Sequence, residues 1–170
     1  MRRICVLLVL LSLPLALFAE EPGQPARVTI SLTTTVPELL THGFLTSDDS
    51  TDIIPALTVS DAFNEDGATF YYAIQTNIAR PFEVYATVTP FELKNASTSA
   101  QVAIQKILVG EQEITPVSGG EYELIQFTPG SQGMGLTSYI LTIVADQSQI
   151  ESAPSGQYEA TVAIDIRSDT

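Results

Sequence analysis

Side chains able to do covalent or metal chemistry are few in this sequence and widely spaced. The 170 residues hold one histidine, His42, and one cysteine, Cys5. Cys5 stands in an N-terminal apolar block with the character of a cleaved leader, so Cys/His nucleophilic chemistry is not available to the processed chain. A serine hydrolase would need His42 beside an activated serine, yet no serine occupies a Gly-x-Ser-x-Gly turn. His42 reads as a loop residue. A metal site would have to rest on carboxylates alone. Asp48, Asp49 and Asp52 form one group, and Asp61, Glu65 and Asp66 another, and either could offer oxygen ligands to calcium. The acids of the second group do not alternate ahead of Gly67 as a calcium loop requires, and both groups read more simply as solvated hairpin ends. The Gly130-Ser131-Gln132-Gly133-Met134-Gly135 run has neither the following lysine nor the helix of a phosphate cradle. Asn95-Ala96-Ser97 is a formal glycosylation sequon, meaningful only in a eukaryotic host. Tryptophan is absent, which weakens a sugar-stacking platform. The chemistry on offer therefore points away from an enzyme, a cofactor or a metal, and toward binding or assembly.

The first residues set the compartment. Met1-Arg2-Arg3 precedes an apolar block that runs to Leu17-Phe18-Ala19, the pattern of a secretory signal peptide. Cleavage is expected after Ala19, with Ala16 as second choice. Ser12 and Pro14 interrupt the block and Glu20-Glu21 end it, so it falls short of the roughly 20 residues of a membrane-spanning helix. Cys5 comes too early to be a lipidated cysteine. With it removed, the exported chain must hold its fold by packing, without a disulfide. Loss of Arg2 and Arg3 also takes the formal charge from -13 to -15. So acidic a surface repels phosphate backbones and anionic membranes, and neither nucleic acid nor membrane insertion is expected.

The elements that must position any binding surface are strands. Residues 20–27 form a flexible lead with two prolines and a glycine, and 28–170 fit a single domain. From Val28 to Val36, apolar Val28, Ile30, Leu32 and Val36, with Thr34, alternate with Thr29, Ser31, Thr33 and Thr35, a period of two. Further strands are expected at 54–60, 68–76, 82–89, 102–109, 111–117, 122–128, 137–145 and 157–166. A short helix over 98–108 is the one rival pattern. Asp66-Gly67, Gly110 and Gly119-Gly120 supply the turns. Along the last strand Tyr158, Ala160, Val162, Ile164 and Ile166 share one face. Many short strands with regular turn signals predict an all-β sandwich.

Three stretches resemble the major subunits of alpha-type fimbriae, the colonisation-factor antigens built by an alternate chaperone and usher. They are Val28 to Leu40, alternating and closed by Pro37; Thr76-Asn77-Ile78-Ala79-Arg80-Pro81-Phe82-Glu83-Val84; and Leu141 to Ile166 with its Ala153-Pro154-Ser155-Gly156-Gln157-Tyr158 entry into the closing strand. The resemblance implies an immunoglobulin-like sandwich lacking one strand and completed by the N-terminal strand of the next copy, a β-strand addition. It implies Val28, Ile30, Leu32, Thr34 and Val36 as donor residues, and Tyr158, Ala160, Val162, Ile164 and Ile166 as the border of the acceptor groove. Copies of itself, a periplasmic chaperone and an outer-membrane usher would be its partners, at a fimbrial cell surface. Residues 20–27 depart from that family by lying ahead of the strand. Two alternatives stand beside it: Val28 to Val36 as the first strand of a complete monomer, and a secreted or periplasmic immunoglobulin-like domain that binds through loops such as 46–52 and 129–135.

Overall fold

A computed structural model describes residues 30–130 and 133–168. The expected signal peptide, the lead at 20–27 and Val28 lie outside the described residues. In chain order the elements are β1 (Leu40–Leu45), β2 (Ala68–Thr76), β3 (Phe82–Val88), β4 (Phe91–Lys94), β5 (Gln101–Val102), β6 (Ile104–Val109), β7 (Gln112–Ile114), β8 (Pro116–Ser118), β9 (Glu121–Phe127), β10 (Gly135–Ala145), the short helix α1 (Gln147–Ser152), β11 (Gln157–Glu159) and β12 (Val162–Arg167). The fold is all-β. One sheet has the order β1-β2-β10-β6-β7, a second β12-β3-β9-β8, and a small third β11-β4-β5. Every pairing is antiparallel.

Alternation builds the core. Phe70, Tyr72 and Ile74 of β2, with Leu141 and Ile143 of β10, meet Phe82, Val84, Ala86 and Val88 of β3 and Leu124, Ile125 and Phe127 of β9 in one buried cluster. The two large sheets thus form a sandwich. Phe82 stacks on Phe127 at 4.5 Å between ring centroids, which ties the start of β3 to the end of β9. A smaller core, around Phe91, Val102 and Ala145, lies under the third sheet.

Several expected strands change course where the chain changes sheet. The 102–109 run divides at Ala103, passing from the small sheet to the first. The 111–117 run divides at Thr115, where the chain crosses from β7 on the first sheet to β8 on the second. The 157–166 run divides at Ala160-Thr161, with β11 on the small sheet and β12 on the second. The 54–60 segment makes a single bridge, Ile54 with Phe44, and then leaves strand geometry at Pro55, which has no N–H to donate. β1 and β4 were not expected, nor was α1. The helix forms because Asp146 caps it, accepting from the backbone N–H groups of Ser148 at 3.0 Å and Gln149 at 3.3 Å. No helix occupies 98–108.

The N-terminal expectation also changes. Ile30 to Val36 form no strand, and every one of them is exposed. A compact unit begins at Pro37.

Two glycines with positive φ test how tightly the sandwich is packed. A Cβ on Gly67 (φ +79) would collide with the Ile143 carbonyl and press on Val144, whereas a Cβ on Gly110 (φ +61) would meet nothing. Left-handed backbone alone costs a non-glycine residue about 1–2 kcal/mol, and overpacking adds about 1–3 kcal/mol. Gly67→Ala is therefore expected to lower stability by about 2–5 kcal/mol and Gly110→Ala by only about 1–2 kcal/mol. Urea midpoints of the two variants measure the difference; equal losses would mean that Gly67 is not a packing position.

Candidate functional site

The residues that distinguish this sandwich lie along one open side. Among the described residues β12 ends its sheet and pairs only with β3. β1 ends the other large sheet, pairing with β2 and touching Ile54 at the single bridge to Phe44. The opposite side is laced by the β7–β8 crossing at Thr115. The difference appears in burial. Inward residues of β3, flanked on both sides, are at most 8% exposed, while Val162, Ile164 and Ile166 of β12 pack on the same core but stay only half-buried. An edge strand presents unpaired backbone groups to which a further strand can add.

Between these edges lies a cavity of about 390 Å³ lined by Leu40 and His42 of β1, Ile78 and Arg80 of the β2–β3 turn, Phe82 of β3, and Asp165, Ile166 and Ser168. Apolar Leu40, Ile78, Phe82 and Ile166 share its lining with polar His42, Arg80, Asp165 and Ser168. His42 is not a loop residue; it lies in β1, and its Nδ1 sits 3.0 Å from the Tyr72 hydroxyl, with the two rings edge to face. Burial pushes the Tyr72 hydroxyl well above the ordinary tyrosine value, helped by Tyr139, so it stays neutral and is held as a hydrogen-bond partner. His42 thus ties β1 to the buried Tyr72 of β2. No protein-family model and no curated protein matches this chain.

At the mouth of the cavity the β2–β3 turn grips the residues just ahead of β1. Asn77 accepts from the Leu39 N–H at 2.6 Å and donates through Nδ2 to the Pro37 carbonyl at 2.9 Å. The Leu39 carbonyl accepts from the Asn77 N–H at 3.2 Å and from the Thr76 hydroxyl at 2.9 Å. Arg80 pairs with Glu38 at 3.1 Å. Sequence reasoning singled out the Thr76-Asn77 turn but not its grip on residues 37–39, which are distant along the chain.

Of the groove-border residues expected from the sequence, Val162, Ile164 and Ile166 lie on the open edge. Tyr158 and Ala160 do not; they pack against the small core, with the Tyr158 ring 5.4 Å from Phe63 and its hydroxyl donating to the Pro154 carbonyl. Of the donor residues, Ile30, Leu32 and Val36 are 78%, 94% and 75% exposed, and Thr34 is exposed as well. Asp48, Asp49, Asp52, Asp61, Glu65 and Asp66 all point to solvent, and among the described residues no three potential metal ligands come together. The 46–52 loop is described and largely exposed, while Ser131 and Gln132 of the 129–135 loop lie outside the described residues.

The outer face of β12 carries a clasp. The Arg167 guanidinium lies 4.2 Å over the Tyr85 ring of β3 and pairs with Glu121 of β9, so one side chain spans three strands. The Tyr85 hydroxyl donates to Glu83 at 2.7 Å, and this bond to a carboxylate pushes its pKa up to about 12. Glu121 is held below the ordinary glutamate range by its bond from Arg167. A carboxylate with a lowered folded-state pKa adds stability above its unfolded value, near about 4.3, and that stability is lost as pH falls through the folded value. Glu121→Gln is thus expected to flatten the acid limb of a stability–pH curve while lowering stability at pH 7. Glu83→Gln is expected to bring the Tyr85 titration, followed by NMR, down from about 12 toward the ordinary value of about 10. A Tyr85 titration unmoved by Glu83→Gln would show that the hydrogen bond is not its cause.

Proposed function

We propose that this chain is an exported structural subunit that assembles with copies of itself by β-strand donation into a surface fibre that supports cell adhesion, as its resemblance to alpha-type fimbrial subunits implies. One observation carries the proposal: the same chain holds an alternating apolar segment, Ile30 to Val36, exposed and in no strand, and a sandwich whose core is open along β12. The strand order supports an immunoglobulin-like reading. β1-β2-β10-β6 follows the order A-B-E-D and β12-β3 follows F-C, while β9-β8, which lie between β6 and β10 in the chain, are an addition beside C; on this reading a strand G would add at the edge of β12. A donated strand would add its backbone hydrogen bonds to β12 and send alternate side chains into the core.

The energetics are of the right size. Burying Ile30, Leu32 and Val36 at about 1.5–3 kcal/mol each gives roughly 5–9 kcal/mol gross, against a net stability of about 5–15 kcal/mol for a whole domain. A donated strand can therefore turn a marginal sandwich into a firm one. The open edge would also be the docking place for a periplasmic chaperone ahead of an usher, since an uncovered strand edge in the periplasm invites aggregation. The formal charge, -13 for the whole chain and -15 without Arg2 and Arg3, opposes unspecific association of copies and leaves strand insertion as the specific route. The reading as a monomeric sandwich with 28–36 as its own first strand draws no support from residues 30–36, which join no ladder.

The test uses the chain from Glu20 onward, wild type and Ile30→Asp, with and without a peptide of residues 28–36. Wild type should form heat-resistant ladders on denaturing gels. Ile30→Asp should form none, yet its unfolding midpoint should rise when the peptide is added, because its own open edge is intact. A wild-type chain that stays monomeric and ignores the peptide would sink the proposal.

A further inference from the structure

The sandwich begins at Pro37, directly after the segment with the donor pattern. Pro37 stands three residues before Leu40, and Leu40 lines the cavity at the open side. A chain so arranged faces a competing reaction: by reversing direction within residues 37–39, Ile30 to Val36 could pair with their own open edge. Closure within one chain has a large entropic advantage over association, because the effective concentration of a tethered segment is of millimolar order. Something must hold the chain against that reversal if copies are to join.

We infer that Asn77 is a positioning residue that bars self-insertion and so directs the segment to another copy; this rests on the strand-donation reading. A reversal at 37–39 would need the backbone groups of these residues to turn toward one another. In the structure they are already engaged by the β2–β3 turn: the Pro37 carbonyl and the Leu39 N–H by the two ends of the Asn77 side chain, and the Leu39 carbonyl by the Asn77 N–H and the Thr76 hydroxyl. The Thr76 hydroxyl also accepts from the Ile78 N–H at 3.0 Å, which fixes the turn that carries Asn77. Glu38, between the gripped residues, is paired with Arg80. The amide of asparagine suits this role because it accepts and donates at once. Aspartate could keep the bond from Leu39 but would place an acceptor against the Pro37 carbonyl. Proline 37 contributes by fixing its own φ and by lacking the N–H that a hairpin ladder would use.

The experiment compares wild type, Asn77→Ala, Leu32→Asp, and the double variant Asn77→Ala with Leu32→Asp, all in the chain from Glu20 onward. Loss of two hydrogen bonds should raise the monomer fraction and lower uptake of the 28–36 peptide, each by about tenfold or more. Asn77→Ala should thus be a folded monomer that refuses peptide. In the double variant the chain's own segment cannot insert, and peptide uptake should return to the level of Leu32→Asp alone. Ladders and peptide uptake at wild-type levels in Asn77→Ala would overturn the clamp while leaving strand donation standing. A double variant that still refuses peptide would also overturn it, since Asn77 would then be building the groove itself. A wild-type chain that neither assembles nor takes peptide would remove both proposals together.

Discussion

The structure depends on a core that is closed on one side and open on the other. Two sheets share their inner residues, and the chain itself sews them together where β7 passes into β8 at Thr115. No such stitch exists between β1 and β12 among the described residues. The inward Val162, Ile164 and Ile166 are drawn to the core by the same hydrophobic driving force as Val84 and Ala86, but among the described residues no second strand covers them. An edge of this kind offers both unpaired backbone groups and apolar surface, the two ingredients of strand addition.

The edge is nevertheless kept in place. Arg167, near the end of β12, reaches across Tyr85 to Glu121 and so couples the last strand to the two beside it. At the far end of β12 the Thr89 N–H donates to the Thr161 carbonyl at 3.0 Å, and the Thr161 N–H donates to the Thr89 hydroxyl at 2.9 Å. Exposed ion pairs add little to stability by themselves. Their value here is positional: they hold a strand that packing alone holds from one side, and they put charge on the outward face where unspecific pairing would begin. Asp165 and Arg167 alternate with the apolar residues for the same reason.

Strands whose neighbours lie on both sides were the most legible in the sequence. Ala68 to Thr76 and Phe82 to Val88 follow from alternation and turn residues because both influences agree there. Strand changes of sheet were not legible, because Ala103, Thr115 and Ala160-Thr161 break a ladder without breaking β-propensity. β1 was hidden by Gly43 in its middle, a residue that weakens a strand pattern. The structure needs it there, since a Cβ would collide with the Ile54 carbonyl. The open edge was half legible. The alternation of Tyr158, Ala160, Val162, Ile164 and Ile166 is continuous, but the chain switches from the small core to the main one partway along it. The grip of Asn77 on Pro37 and Leu39 joins residues 38 to 40 positions apart, and no local pattern carries such a contact.

Where assembly stops follows from which surfaces meet. On the proposed reading the donated segment and the open edge are different parts of one chain, so their contact is heterologous and cannot be satisfied by a two-fold pair using the same patch on both copies. Each copy added covers one open edge and brings another, so growth does not saturate unless the rotation between copies closes a ring. The only other way to satisfy both surfaces at once is within a single copy. That makes the three residues between Val36 and Leu40 decisive: if they can turn, the chain is a monomer with a complete sandwich, and if they are held extended, it is a link in a chain. The contacts of Thr76, Asn77 and Arg80 with Pro37, Glu38 and Leu39 fall at the position where that choice is made.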